Sequence, residues 1–234
     1  MRILLIRTTS PTAFPGMILH IVPPLGLMYL ASALRKWCQV ECKLKISHLM
    51  LNGFELSDLK KEVEDFNPQL LGLSTLSYET PRMHAVAQMI KAMNPSCKVV
   101  VGGPHATAFS SHILQDKNID YIIIGEGEKT FVELVEAIEA DRDVKGIKGI
   151  GYRQNGTTIY TPPREYISNP DDIPFPAWDL IDFPDYLKTS NMSNFLAERN
   201  YAPIFTSRAC PYSCIYCHRI FGKGWRARSP ENVI

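Results

Sequence analysis

The first 140 residues alternate short apolar runs with longer amphipathic ones, and this alternation restricts the fold more than any other feature. Residues 2–7 (RILLIR), 70–74 (LLGLS), 98–101 (KVVV) and 121–124 (YIII) are mostly apolar and too short for helices. Such runs suit strands buried on both faces of a parallel sheet. Residues 39–46 add another strand, with Val40, Cys42, Leu44 and Ile46 alternating. Between them lie helical stretches at 24–36, 57–66, 80–93 and 130–140. The first carries Leu27, Leu30, Ala31 and Leu34 on one face, and Ser57 is placed to N-cap the second. Parallel strands need long crossovers, usually helices. The expected product is α/β: an open, Rossmann-like, doubly wound parallel sheet over residues 1–140.

The pattern changes after Asp141. Residues 149–153 and 157–161 flank Asn155-Gly156, a strong hairpin signal. Pro162, Pro163, Pro170, Pro174, Pro176 and Pro184 then stud a poorly periodic stretch that reads as a semi-ordered linker, 141–200. Phe175, Trp178 and Phe183 within it need an apolar surface to pack on. Residues 202–206 begin a further apolar strand, opening a third segment, 201–234.

Twenty-five Lys and Arg against 24 Asp and Glu leave a formal charge of +1. No basic excess points to nucleic acid or to an anionic membrane. Residues 18–34 are apolar enough to imitate an export signal, but His20 and Pro23-Pro24 interrupt them and a strand precedes them. No apolar run is long enough for a membrane span. A cytoplasmic setting is expected, with thiols kept reduced. The six cysteines are then metal ligands, reactive thiols or core residues. Cys38, Cys42 and Cys97 sit on or beside first-domain elements and read as small buried hydrophobes.

Cys210, Cys214 and Cys217 differ, forming a CxxxCxxC pattern inside Arg208-Ala-Cys-Pro-Tyr-Ser-Cys-Ile-Tyr-Cys217. Three thiolates so close can converge on one iron–sulfur cluster, leaving one iron open to a non-protein group. Zinc held by the three cysteines and His218 is the competing reading, though adjacent ligands at 217 and 218 suit a tetrahedron poorly.

The loops at the strand ends form a second constellation. Ser74-Thr75-Leu76 follows the third strand, Gly102-Gly103-Pro104-His105 the fourth, and Gly125-Glu126-Gly127-Glu128 the fifth. Carboxyl ends of parallel strands are where open α/β sheets bind ligands. No GxGxxG follows the first strand, which disfavours a nicotinamide or flavin dinucleotide. Glu126 and Glu128 fit the start of the next helix, where negative charge complements the dipole. Tyr78, Glu79 and His84 lie near the third strand's end, within reach of a ligand there.

The cysteine pattern, with Tyr216 before the third cysteine, resembles the signature of the radical S-adenosylmethionine enzymes. Ser207-Arg208-Ala209-Cys210-Pro211 resembles the usual lead-in, with Ala209 where Gly is commoner, and 225–232 resembles the start of the next helix. The resemblance implies a 4Fe–4S cluster on Cys210, Cys214 and Cys217. Its open iron would chelate S-adenosylmethionine, whose reductive cleavage releases a 5′-deoxyadenosyl radical. An electron donor such as flavodoxin or ferredoxin is implied with it.

The strand-end loops resemble cobalamin-binding domains, which carry Ser-x-Leu after the third strand and Gly-Gly after the fourth. Ser74, Thr75 and Leu76 would then face the nucleotide tail, and Gly102, Gly103, Pro104 and His105 would make room for it beside the 125–128 loop. Pro23-Pro24-Leu-Gly26-Leu and 103–107 also resemble the subgroup fused to radical S-adenosylmethionine domains. The Asp-x-His-x-x-Gly motif that brings histidine to cobalt in the methionine-synthase branch is missing from residues 7–22. Neither His20, His48 nor His105 replaces it convincingly, which implies cobalamin without a protein imidazole.

The implied function is a cobalamin-dependent radical S-adenosylmethionine enzyme, most often a methyltransferase to an unactivated carbon or phosphorus. Cyclisation or rearrangement is a variant of it, and a cobalamin carrier or sensor is the non-catalytic alternative. The substrate, a small molecule or a peptide, is not readable. Only 17 residues follow Cys217, whereas a βα barrel takes roughly 200 or more. The expectation is therefore a truncated protein: a complete first domain, a linker, and the first strand and cluster loop of an unfinished barrel.

Overall fold

The computed structural model describes residues 1–8, 22–49, 55–189, 202–217 and 220–234. The five expected parallel strands form: β1 (Arg2–Arg7), β2 (Lys43–His48), β3 (Leu70–Ser74), β4 (Lys98–Gly102) and β5 (Tyr121–Ile123). Their crossovers carry α1 (Leu25–Trp37), α2 (Leu56–Phe66), α3 (Thr80–Met93), then the short α4 (Pro104–Ala108) and α5 (Ser110–Ile113). Helix α6 (Glu128–Glu139) follows β5. Side chains of β1 show why the sheet is wound on both faces. Ile3 and Leu5 join one apolar cluster with α1 and α6. Leu4 and Ile6 join another with α2 and α3. All four are fully buried.

The boundaries move where local signals compete. Strand β2 begins at Lys43, where pairing with Arg2 of β1 starts. Helix α2 is not capped by Ser57, which lies inside its first turn. Glu55 occupies the cap position, without a side-chain bond. The helix ends where Asn67 turns left-handed at φ 46° and donates its N–H to the Val63 carbonyl at 2.8 Å.

Two corrections follow the fifth strand. The hairpin β6 (Ile150–Gln154) and β7 (Thr157–Tyr160) turns at Asn155-Gly156 as expected, both with positive φ. It is not part of a linker, because β6 pairs antiparallel with β5. The sheet thus has seven strands in the order β2-β1-β3-β4-β5-β6-β7 and runs past residue 140. Pairing satisfies the edge of β5, which would otherwise expose a row of amide groups. Nor is the described part of the proline-rich stretch, 162–189, semi-ordered. Ile167, Ile173 and Ala177 are buried with α1 and α6. Arg35 grips Asp179 with two bonds of 2.8 Å, and Trp178 packs edge-on against Phe183. Helix α7 (Phe183–Thr189) follows.

The expected apolar strand at 202–206 does not form. Instead β8 (Ser207–Arg208) pairs antiparallel with β9 (Arg226–Ala227), ahead of the short α8 (Pro230–Val233). A barrel strand needs a parallel neighbour to complete its ladder, and none of the described residues provides one. The partial barrel therefore stays an expectation. Among the described residues, no helix is long and apolar enough to cross a membrane.

Candidate functional site

In a sheet with β1 beside both β2 and β3, the chain leaves β1 in one direction and later strands build in the other. The crevice outside the carboxyl ends at that reversal is the favoured ligand position. A cavity of about 630 Å³ lies there. Leu5 and Arg7 of β1, Gly72 and Ser74 of β3, Gly102 and Ile123 line its strand side. Tyr29 and Leu30 of α1 form one wall, and Phe205, Arg208 and Phe221 close it from the far segment.

Two glycines shape its floor. Gly103 holds φ 91° and ψ −170°, a region essentially closed to other residues. A Cβ there would sit 3.2 Å from Ser74 Oγ and 3.3 Å from the Thr75 carbonyl oxygen. Gly125 holds φ 84°, and a Cβ on it would meet no atom within 4 Å. Gly125 is one of the residues that line the cavity.

Charged groups at the mouth are paired. Glu79 is fully buried, accepts from the Leu76 N–H at 2.8 Å and faces Arg7 at 3.2 Å. Arg208 reaches Glu128 at 2.5 Å and Glu126 at 3.4 Å. Arg226 meets Glu126 at 2.9 Å. Burial opposes the charge on Arg208, but the facing carboxylates outweigh it and hold the guanidinium above its usual pKa. His48, at the end of β2, shares a 3.2 Å hydrogen bond between Nδ1 and the Tyr186 hydroxyl. Burial, then the nearby Arg7 charge, lowers its pKa to about 3, so it is neutral.

The structure brings Ser74, Gly102, Gly103, Pro104, Gly125, Glu126, Gly127 and Glu128 to the cavity wall. Thr75, Leu76 and His105 lie outside that lining. Thr75 is fully buried and bonds the Leu76 carbonyl. His105 turns to the Ser77 hydroxyl at 3.1 Å and packs against Phe109. Tyr78 lines the cavity, whereas His84 pairs with Asp116 at 2.6 Å. His20 and His218 lie outside the described residues.

Cys210, Cys214 and Cys217 are exposed, and so is Tyr216, away from the cavity lining. The Cys217 N–H donates to the Cys214 carbonyl at 3.2 Å, a turn that places the two side by side in the chain. Among the described residues no three His, Cys, Asp or Glu side chains converge as a metal-holding group. Three soft thiolates at this spacing fit iron–sulfur chemistry. Cys97 is buried, while Cys38 and Cys42 are half-buried at the edge of the core.

Comparison with known proteins shows the family. Residues 16–135, just over half of the chain, match the B12 binding domain family. The chain belongs to that family. An uncharacterised methyltransferase of Pyrococcus horikoshii is 35% identical over 237 residues, covering 100% of this chain and 49% of that protein. The cytidylyl-2-hydroxyethylphosphonate methyltransferase of Streptomyces wedmorensis is 24% identical over 272 residues, covering 98% and 50%. The chain thus spans about half the length of these relatives. The cobalamin-dependent S-adenosylmethionine radical enzyme OxsB, solved with aqua-cobalamin bound, superposes with a TM-score of 0.80 over 99% of this chain and 30% of its own. At 21% identity this likeness shows a shared fold.

Cobalamin is the cofactor that the family implies, and the open space at Gly125 fits a bulky group lying against backbone. The residues that escaped the sequence reading are the charged ones. Arg7, Arg208 and Arg226 meet carboxylates 72 to 100 positions away, and no local spacing announces such pairs.

Proposed function

We propose that this chain holds cobalamin for methyl transfer to an unactivated carbon or phosphorus centre in a radical S-adenosylmethionine enzyme. The observation that carries the reading is one juxtaposition. The cavity at the strand reversal is lined by Gly102, Gly103 and Gly125 on one side and by Ser207, Arg208 and Ala209 on the other. Cys210 follows Ala209 directly, so the cysteine loop begins at the mouth of the cobalamin site.

Cobalamin supplies a transferable methyl group, and a cluster with S-adenosylmethionine supplies the radical that activates the substrate. Cys210, Cys214 and Cys217 hold the cluster. Gly102, Gly103 and Gly125 let the cofactor lie against backbone, and the Ser74 hydroxyl offers a hydrogen bond beside them. Leu5, Leu30 and Phe205 give the cavity an apolar wall. Neutral His48 contributes no charge of its own to that wall. The reaction needs a one-electron donor of flavodoxin or ferredoxin type and a reducing, cytoplasmic setting. The substrate, small molecule or peptide, enters beyond these residues.

Anaerobic purification with hydroxocobalamin, iron and sulfide tests the reading. The wild type should retain about one corrin and show a thiolate-to-iron absorption band that Cys214→Ala removes. Gly125→Val should weaken hydroxocobalamin binding at least tenfold, about 1.4 kcal/mol. Wild-type protein that retains no corrin refutes the proposal. Corrin without a cluster points to a carrier or sensor, and zinc in place of iron points to a structural metal.

A further inference from the structure

Glu126 and Glu128 line the cavity, yet their partners are protein. Their side chains are 4% and 6% exposed, and those of Arg208 and Arg226 are 11% and 13% exposed. Glu128 Oε1 accepts from Arg208 Nη2 at 2.5 Å. Glu126 bridges both cations, facing Arg208 at 3.4 Å and accepting from Arg226 Nη1 at 3.1 Å. It also takes the Ile167 N–H at 2.8 Å, and Arg226 returns a bond to the Ile167 carbonyl at 2.8 Å. Arg208 and Arg226 are themselves partners in the β8–β9 pair.

Aromatic rings flank the cations. Arg208 lies over the Tyr29 ring at 5.7 Å, and Arg226 over Tyr166 at 4.9 Å. Phe205 stacks on Tyr29 at 6.0 Å with planes 11° apart. The β8–β9 pair is only two residues long and too short to be stable alone; Arg228 anchors its far end through the Ile173 carbonyl at 3.0 Å, and the cluster anchors the end that leads into the cysteines. Ala209 then turns left-handed at φ 66° and sends the chain into the cysteine loop.

We propose that Glu126 and Glu128 are a buried latch that grips Arg208 and Arg226 and so fixes the cysteine loop at the mouth of the cavity. Arg208 is the positioning residue, two places ahead of Cys210. Its carboxylate partners share their loop with Gly125 and Gly127, which line the cavity. Docking of the loop and occupation of the cavity are thus coupled through one short segment, 125–128. The value of that coupling rests on the cobalamin reading above, while the latch itself stands on the ion pairs.

Hydrogen–deuterium exchange on the full chain tests the latch. Arg208→Met leaves buried Glu128 without its cation and Glu126 with Arg226 alone, and breaking a buried pair is strongly destabilising locally. Exchange at 203–209 and 226–229 should rise at least tenfold, while peptides spanning 70–74 and 98–102 stay as in the wild type. Arg208→Lys keeps the charge and should recover much of the protection. Hydroxocobalamin should slow exchange at 203–209 in the wild type and not in Arg208→Met. The latch is overturned if Arg208→Met exchanges like the wild type, or if the sheet peptides loosen equally. Wild-type protein that does not bind hydroxocobalamin overturns the corrin reading, and the unliganded comparison then decides the latch by itself.

Discussion

Gly103 is a cavity-lining position where a single methyl group should do damage for a reason visible in the backbone. Its φ of 91° and ψ of −170° lie in a region where a side chain costs about 1–3 kcal/mol. In Gly103→Ala the new Cβ also meets Ser74 Oγ at 3.2 Å and the Thr75 carbonyl oxygen and nitrogen at 3.3 and 3.4 Å. The Ser74 hydroxyl can swing aside. The Thr75 backbone cannot, because its N–H bonds the Gly102 carbonyl and its carbonyl accepts from His105. Crowding of this kind adds about 1 kcal/mol or more, giving a total of about 2–4 kcal/mol. For a protein of this size 1 kcal/mol moves Tm by about 2–4 °C, so a fall of roughly 4–16 °C is expected. Gly146→Ala is the matched control, with no atom within 4 Å of its Cβ. It should be neutral or stabilise by up to ~1 kcal/mol through the unfolded chain. Urea unfolding of both variants checks the pair. Gly103→Ala no less stable than Gly146→Ala would refute the reasoning.

The neutral, buried His48 makes stability pH-dependent. Its folded pKa, about 3, lies below the ordinary 6.5, so its contribution is complete above 6.5 and is lost as pH falls towards 3. At pH 5 the loss is about 2 kcal/mol, and the drop in stability between pH 7 and pH 5 should be smaller by that amount in His48→Gln. Equal pH slopes in the two proteins would count against it. Arg153 donates to four carbonyls, those of Leu114, Asp116, Lys117 and Ile119, and ties the hairpin to the loop before β5. Arg153→Met should cost about 1.5–3 kcal/mol by thermal unfolding, and Arg153→Lys should recover less than half, since an ammonium cannot fork across four acceptors.

Different parts of this molecule were legible to different degrees. The parallel core was readable because each strand is a short run buried on both faces, and burial of that kind leaves a local trace. Strands β1 and β3 begin and end where the runs do. The Asn155-Gly156 turn was readable for the same reason, as only a few residue pairs adopt its backbone. The hairpin's partner was not, because pairing with β5 joins residues about thirty positions apart. Proline density at 162–184 suggested loose chain, yet Ile167, Ile173 and Ala177 are buried. Prolines describe backbone stiffness, and burial depends on what surface lies opposite.

The site divides along the same line. Motif spacing alone marked Cys210, Cys214 and Cys217, and the glycines after β4 and β5, because backbone freedom and metal ligation both demand particular residues at particular places. Which of the marked residues reach the cavity was decided by the tertiary structure. His105 and Thr75 carry the right names but turn into the protein, where Ser77 and Leu76 satisfy them. Glu126 and Glu128 read as helix-start charges, and α6 does begin at Glu128, but the fold also gave them Arg208 and Arg226. An ion pair joining residues 80 or 100 positions apart leaves no periodic signal in either partner. By itself the sequence determined a doubly wound sheet with glycine-bearing loops and a thiolate triad. Only the packing of the far segment onto the strand ends decided that Arg208 and Arg226 meet Glu126 and Glu128 beside the cavity, since it is burial that makes these charges indispensable to one another.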